Sequence, residues 1–110
     1  MTNPSKRKGD SAELEVQAIF RDHLGVGRRA LGAGRKDDIG DITGIPELTV
    51  QVANYRDVAT AVREKPRQCV AQQARAGTQF GVTAVRLRGG EWRWVMTTEQ
   101  LMAIYREATA

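Results

Sequence analysis

The stretch Gly40-Asp41-Ile42-Thr43-Gly44-Ile45-Pro46-Glu47-Leu48-Thr49-Val50-Gln51-Val52-Ala53-Asn54 decides how this chain is read. A Gly-Ile-Pro segment between two short apolar runs predicts a turn joining two strands. From Leu48 onward the side chains alternate, so Leu48, Val50 and Val52 face one way and Thr49, Gln51 and Ala53 the other. Gln51 and Ala53 therefore share a face. Two residues at i and i+2 on one strand face can converge on one metal ion and one water.

Upstream, Ser11 to Leu24 reads as a helix, with Asp10 or Ser11 as N-cap and Gly25 as its stop. Val16, Ile19, Phe20 and Leu24 form its apolar stripe, and Glu13 lies close to the centre of that stripe while Glu15 points away. Two readings of Glu13 stay open: a functional acid, or an acid at the margin of the buried face. Glu15 reads as a solvated surface residue. The glycine-rich, basic segment from Gly25 to Gly40 predicts a loop with a weak strand around Arg28 to Leu31. Downstream, Asp57 to Ala76 is helical in pattern, capped by Asp57 and ended by Gly77, with Pro66 predicting a kink or break near Lys65. Gln79 to Arg88 and Glu91 to Met96 read as strands joined across Gly89-Gly90. Thr97-Thr98-Glu99-Gln100 offers a capping box that opens a last helix through Tyr105. The order is α-β-β-β-α-β-β-α, or the same with one strand fewer. The fold class expected is α/β (α+β), a mixed sheet flanked by helices.

With 110 residues the chain has the length of one domain, read as residues 11–110, preceded by a basic, flexible N-terminal arm over residues 1–10. Seventeen basic against thirteen acidic residues give a net charge of +4 and a pI near 9.7, which favours a polyanionic partner, with an acidic protein surface as the plainer alternative. The lone Cys69 cannot form an internal disulfide and has no convincing histidine partner for nucleophilic work. No segment approaches a membrane span or a secretion signal, so a cytoplasmic location is expected, that of the host cell if the protein is phage-encoded.

The chain resembles a known family along most of its length. Lys8-Gly9 with Glu13, Arg28-Arg29-Ala30-Leu31-Gly32-Ala33-Gly34, Asp38-Ile39-Gly40-Asp41-Ile42, the Gly-Ile-Pro turn, the Val-x-Val strand and Asn54 are similar to the phage-type Holliday junction resolvases of the PD-(D/E)xK nuclease superfamily. The similarity continues through Ala74-Arg75-Ala76-Gly77, Phe80-Gly81-Val82, Arg86-Leu87-Arg88-Gly89-Gly90 and Trp94-Val95-Met96-Thr97-Thr98-Glu99-Gln100-Leu101. It implies a restriction-endonuclease-like sheet, a homodimer, and Mg²⁺-dependent, structure-selective cleavage of branched DNA. It also implies a helix glutamate at Glu13, a metal-binding aspartate at Asp41 and a Glu-x-Lys pair at positions 51 and 53. This chain departs from that pattern, because Gln51 and Ala53 stand where the acid and the lysine belong.

Phosphodiester hydrolysis needs charge neutralised on the phosphate, an activated water and a stabilised leaving oxygen. Glu13, Asp41 and Gln51 are the candidate catalytic and metal-binding residues, and the Gln51 carbonyl, or the Val52 backbone carbonyl, adds a neutral oxygen to two carboxylates. Mg²⁺ at such a site is weakly held, or absent if the site is degenerate. Asp37 and Asp38 read equally as loop or capping residues. Ala53 cannot orient water, and Lys36, Arg56 and Lys65 are the cations that could reach in instead. Lone His23 reads as structural. For DNA, branched or duplex, the candidate contacts are Lys6, Arg7, Lys8, Arg28, Arg29, Arg35 and Lys36, with Arg86, Arg88 and Arg93 at strand ends. No recognition helix or stacking platform is evident, and Trp92 and Trp94 read as core or dimer contacts. Two functions follow: a resolvase-like nuclease, or a catalytically inactive pseudo-nuclease that binds DNA or a host protein.

Overall fold

The computed structural model describes residues 4–30 and 38–110, with residues 4–9 as backbone alone. Among the described residues three helices and five strands follow one another in the longer of the two expected orders. They are α1 (Pro4–Leu24), β1 (Arg28–Arg29), β2 (Ile42–Thr43), β3 (Leu48–Ala53), α2 (Val58–Ala76), β4 (Phe80–Arg86), β5 (Trp92–Val95) and α3 (Thr98–Ala108). The strands form one mixed sheet in the order β1-β2-β3-β4-β5. Only β3 and β4 run parallel, in register from Leu48 opposite Phe80 to Ala53 opposite Val85. Parallel neighbours need a crossover, and α2 supplies it.

The alternation in β3 sorts the core onto two faces. Val50, with Leu48 and Val52 beside it, joins Val16 and Phe20 of α1, Ile42, Ile45, Val82 and Ala84 in the larger cluster. On the other face small side chains let α2 lie close. Ala53 and Val85 meet Ala61 there, and the Cys69 thiol donates to the carbonyls of Val82 (3.6 Å) and Thr49 (3.8 Å). Burial pushes the Cys69 thiol up from its ordinary pKa, so it is a packing residue, not a nucleophile. The Gln100 side chain of α3 donates to Gln73 of α2 at 2.6 Å, tying the last helix to the crossover helix.

Local chemistry sets the ends of the elements. The Asp57 carboxylate accepts from the Thr60 backbone N–H, Gly77 closes α2 in the left-handed region, and Thr97 with Gln100 forms the capping box of α3. Two expectations need correction. α1 starts at Pro4, not Ser11, so the segment read as an arm to residue 10 is drawn into the helix; proline is tolerated in a first turn, where its missing N–H costs nothing. α2 also continues through Pro66 without ending. The ring is buried against the sheet, and tertiary packing outweighs the lost hydrogen bond.

Candidate functional site

Gly40 brings the site together. It is buried at φ +105°, and a Cβ there would stand 2.9 Å from the Val50 carbonyl oxygen, so only glycine lets the chain press against β3 at this point. Asp41 follows immediately. Its N–H donates to Val50 O at 2.7 Å, its carbonyl accepts from Ala30 N at 2.9 Å, and its Oδ2 accepts from Val52 N at 2.8 Å. The carboxylate thus continues the ladder where β2 leaves β3.

Ile42 pairs antiparallel with Val50, and because Asp41 N–H donates to the carbonyl of that same Val50, the regular register ends at Ile42. Gln51 is only 3 % exposed. Its Nε2 donates to Gln68 Oε1 of α2 at 3.2 Å, while its Oε1 has no hydrogen-bond partner. A buried acceptor left so costs about 1–3 kcal/mol. Glu13 approaches from α1. Its pKa is raised, first by burial and then by the negative charge of Asp41, against the opposing pull of Arg29. Glu13 and Asp41 thus lie within electrostatic reach of each other, and Asp41 bonds the backbone of Val52 next to Gln51, whose side chain turns to α2.

Ala53, by contrast, is fully buried against Ala61 and Val85, with Val58 and Val95 around them. It contributes packing, not a cation. Of the three substitutes, Arg56 is exposed and Lys36 lies outside the described residues. Lys65 is the one linked to the site: its Nζ donates to Gln68 Oε1 at 3.1 Å and sits 5.0 Å from the centre of the Tyr55 ring. Sequence reasoning missed Gln68. The available signal was the spacing of Lys65, Gln68 and Gln72 at i, i+3 and i+7, which aligns them on one helix face.

The basic residues divide by partner. Arg28 is exposed beside a shallow cleft of about 330 Å³ that Arg21, Gly25, Val26, Gly27 and Gly44 also line. Arg29 is turned inward, paired with Asp10 at 2.7 Å and Glu13 at 3.3 Å, so it is not presented to a phosphate in this arrangement. Glu15 is likewise not simply solvated: it accepts from Trp92 Nε1 at 3.4 Å and pairs with Arg86 at 3.6 Å, holding α1 to the β4–β5 hairpin. Arg93 pairs with Glu91 at 2.9 Å, and Arg88 is exposed. Asp38 accepts from Gln72 at 2.9 Å. Arg35 and the side chains of Lys6, Arg7 and Lys8 lie outside the described residues. Trp92 packs on the core, whereas Trp94 meets Phe20 edge-to-face at 5.6 Å and lines an apolar groove of about 470 Å³ with Leu24, Met96 and Ile104. His23 accepts from or donates to nothing in the site; its Nδ1 lies 2.9 Å from Ile19 O.

Among the described residues no group of three or more His, Cys, Asp and Glu side chains gathers to hold a metal. The donors at hand are two carboxylates and one amide oxygen. An all-oxygen set of this kind suits a hard divalent cation, and the Gln51 oxygen is without a hydrogen-bond partner. The Arg29–Glu13 pair opposes it. Among the described residues no helix is long and apolar enough to cross a membrane. No family model, curated protein or solved structure matches this chain.

Proposed function

We propose that this chain is a DNA-binding protein of the resolvase type, acting on branched or duplex DNA as a homodimer, with Mg²⁺-dependent endonuclease activity weakened by the loss of the motif lysine. The observation that supports the reading is the closeness of the Glu13 and Asp41 carboxylates, with Asp41 Oδ2 accepting from Val52 N beside the buried Gln51. Asp41 and Gln51, with Glu13 once it leaves Arg29, are the residues that would hold Mg²⁺. A bound Mg²⁺ supplies charge neutralisation on a phosphate and a more acidic water. Arg28 and its neighbour Arg21 offer a basic surface for the backbone of the DNA, and two symmetric cuts in a junction call for two copies of the chain.

Ala53 and the Arg29–Glu13 pair favour a second reading, a pseudo-nuclease that binds DNA or a host protein without cutting. Four-way junctions and linear duplexes incubated with the protein in Mg²⁺ or Mn²⁺ separate the two. Cutting that disappears in Asp41→Ala supports the nuclease. Binding without cutting, at any pH or metal concentration, leaves the pseudo-nuclease; no DNA affinity even at low salt overturns both DNA readings and leaves a protein partner.

A further inference from the structure

In α3 the usual sorting of residues is reversed. Its buried residue is Gln100, whereas Leu101, Met102 and Tyr105 stand exposed. Together with Thr98 and Ala108 they are spaced three and four residues apart, so the exposed side chains form one seam along the helix. Ile104, one turn from Leu101, lines the apolar groove of about 470 Å³ that Leu24 of α1 and Trp94 of β5 also line. Leu24, Trp94, Leu101, Met102 and Tyr105 each keep between 40 % and 63 % of their surface exposed. At roughly half exposure, five side chains of about 150–250 Å² each leave about 500 Å² of apolar surface. Homodimer interfaces are about 65 % apolar, so a patch of this size is the core of a contact of about 800 Å² per copy, which is what a stable dimer needs.

Charge says what covers it. Glu99 and Arg106 lie seven residues apart on one flank of the seam, both exposed, and among the described residues neither has an ion-pair partner. A copy of the same helix laid antiparallel across the seam sets Glu99 against the partner subunit's Arg106, and Arg106 against the partner subunit's Glu99, with the crossing beside Met102. A parallel copy brings acid level with acid and base with base. We propose that the outer seam of α3, extended by Trp94 and Leu24 at the groove, is the self-association surface of this chain, covered by a second copy related by a two-fold axis with the two α3 helices antiparallel. The inference rests on the homodimer of the proposed function and supplies its interface. It needs neither DNA nor a metal.

Sedimentation equilibrium of the full chain over a wide range of concentration tests this, with circular dichroism and thermal melting to confirm that each variant folds. The parent is expected to be a dimer. Tyr105→Glu puts a carboxylate into the seam without entering the core, and weakens association about thirtyfold or more, the loss of one interface anchor. Glu99→Arg replaces two attractive contacts by two repulsive ones and weakens association about tenfold. Glu99→Arg combined with Arg106→Glu reverses both signs and restores it, which a merely adhesive patch would not do. A dimer unmoved by all of these variants overturns this surface and assigns the homodimer to another face. Weakening by Glu99→Arg without recovery in the double variant overturns the antiparallel arrangement. A parent that sediments as a monomer at every concentration overturns the homodimer and the surface together. A dimer that follows the expected pattern, yet shows no affinity for duplex or junction DNA, upholds the surface and overturns only the DNA reading.

Discussion

Replacing Ala53 by lysine appears at first to restore the missing motif residue, yet the structure predicts that it damages the fold. Ala53 is fully buried, stands opposite Val85 in the parallel register and packs on Ala61 of α2. Three added methylenes overfill that contact, at a cost of about 1–3 kcal/mol. The ammonium adds a desolvation penalty. A pKa depressed by only about two units corresponds to about 3 kcal/mol at neutral pH, since each unit is about 1.4 kcal/mol. Together these come to about 4–6 kcal/mol, against a total stability of about 5–15 kcal/mol for a domain. At about 4–8 °C per kcal/mol, Ala53→Lys melts at least 15 °C below the parent, roughly speaking, or does not fold. Urea denaturation followed by tryptophan fluorescence measures the loss, and Ala53→Leu, which overfills the same space without a charge, isolates the packing part. The sign with pH is also set. A lysine whose folded pKa is depressed costs most below that folded value, and its penalty fades as pH rises toward the unfolded value of about 10.4, so the deficit of Ala53→Lys relative to Ala53→Leu shrinks in alkali. An Ala53→Lys protein that melts within a few degrees of the parent at neutral pH would falsify this account of the α2 face.

Three further outcomes are expected. Glu13 holds its proton more tightly folded than unfolded, so the stability it contributes is present below its ordinary value of 4.5 and is lost as pH rises through the raised folded value; Glu13→Gln flattens that part of a urea-midpoint profile, and an unchanged profile refutes the shift. A Cβ on buried Gly81 runs into the Gln73 amide and stands 2.7 Å from Gln100 Nε2, so Gly81→Ala breaks the α2–α3 link, lowers stability by about 1–3 kcal/mol and speeds amide exchange in α3; unaltered protection of α3 counts against it. Arg28→Glu weakens DNA binding and flattens the slope of log K against log salt by about 0.9 per lost phosphate contact while folding is retained, whereas Arg29→Glu lowers the melting temperature because it places an acid beside Asp10 and Glu13; equal melting temperatures for the two variants contradict the inward placement of Arg29.

The sequence alone determined the order of the elements to within one strand, the mixed sheet, the caps at Asp57, Gly77 and Thr97, and the two faces of β3 that bring Gln51 and Ala53 to the same side. These are readable because they depend on periods of 2 and 3.6 residues and on side chains that bond a backbone group a few positions away. The nearness of Glu13 and Asp41 was implied by the family resemblance. Tertiary structure alone decided what each of them faces. Arg29 turns to Glu13 and Asp10 across 16 and 19 residues, and Glu15 is drawn to Trp92 across 77. Gln51 meets Gln68, and through it Lys65, only because α2 crosses back over the sheet. Pro66 remains inside α2 for the same reason, since burial of its ring is settled by the sheet beneath it and not by its neighbours in sequence. Charge and helical propensity are properties of residues, whereas partner, burial and amide polarity are properties of the packing that brings distant residues together.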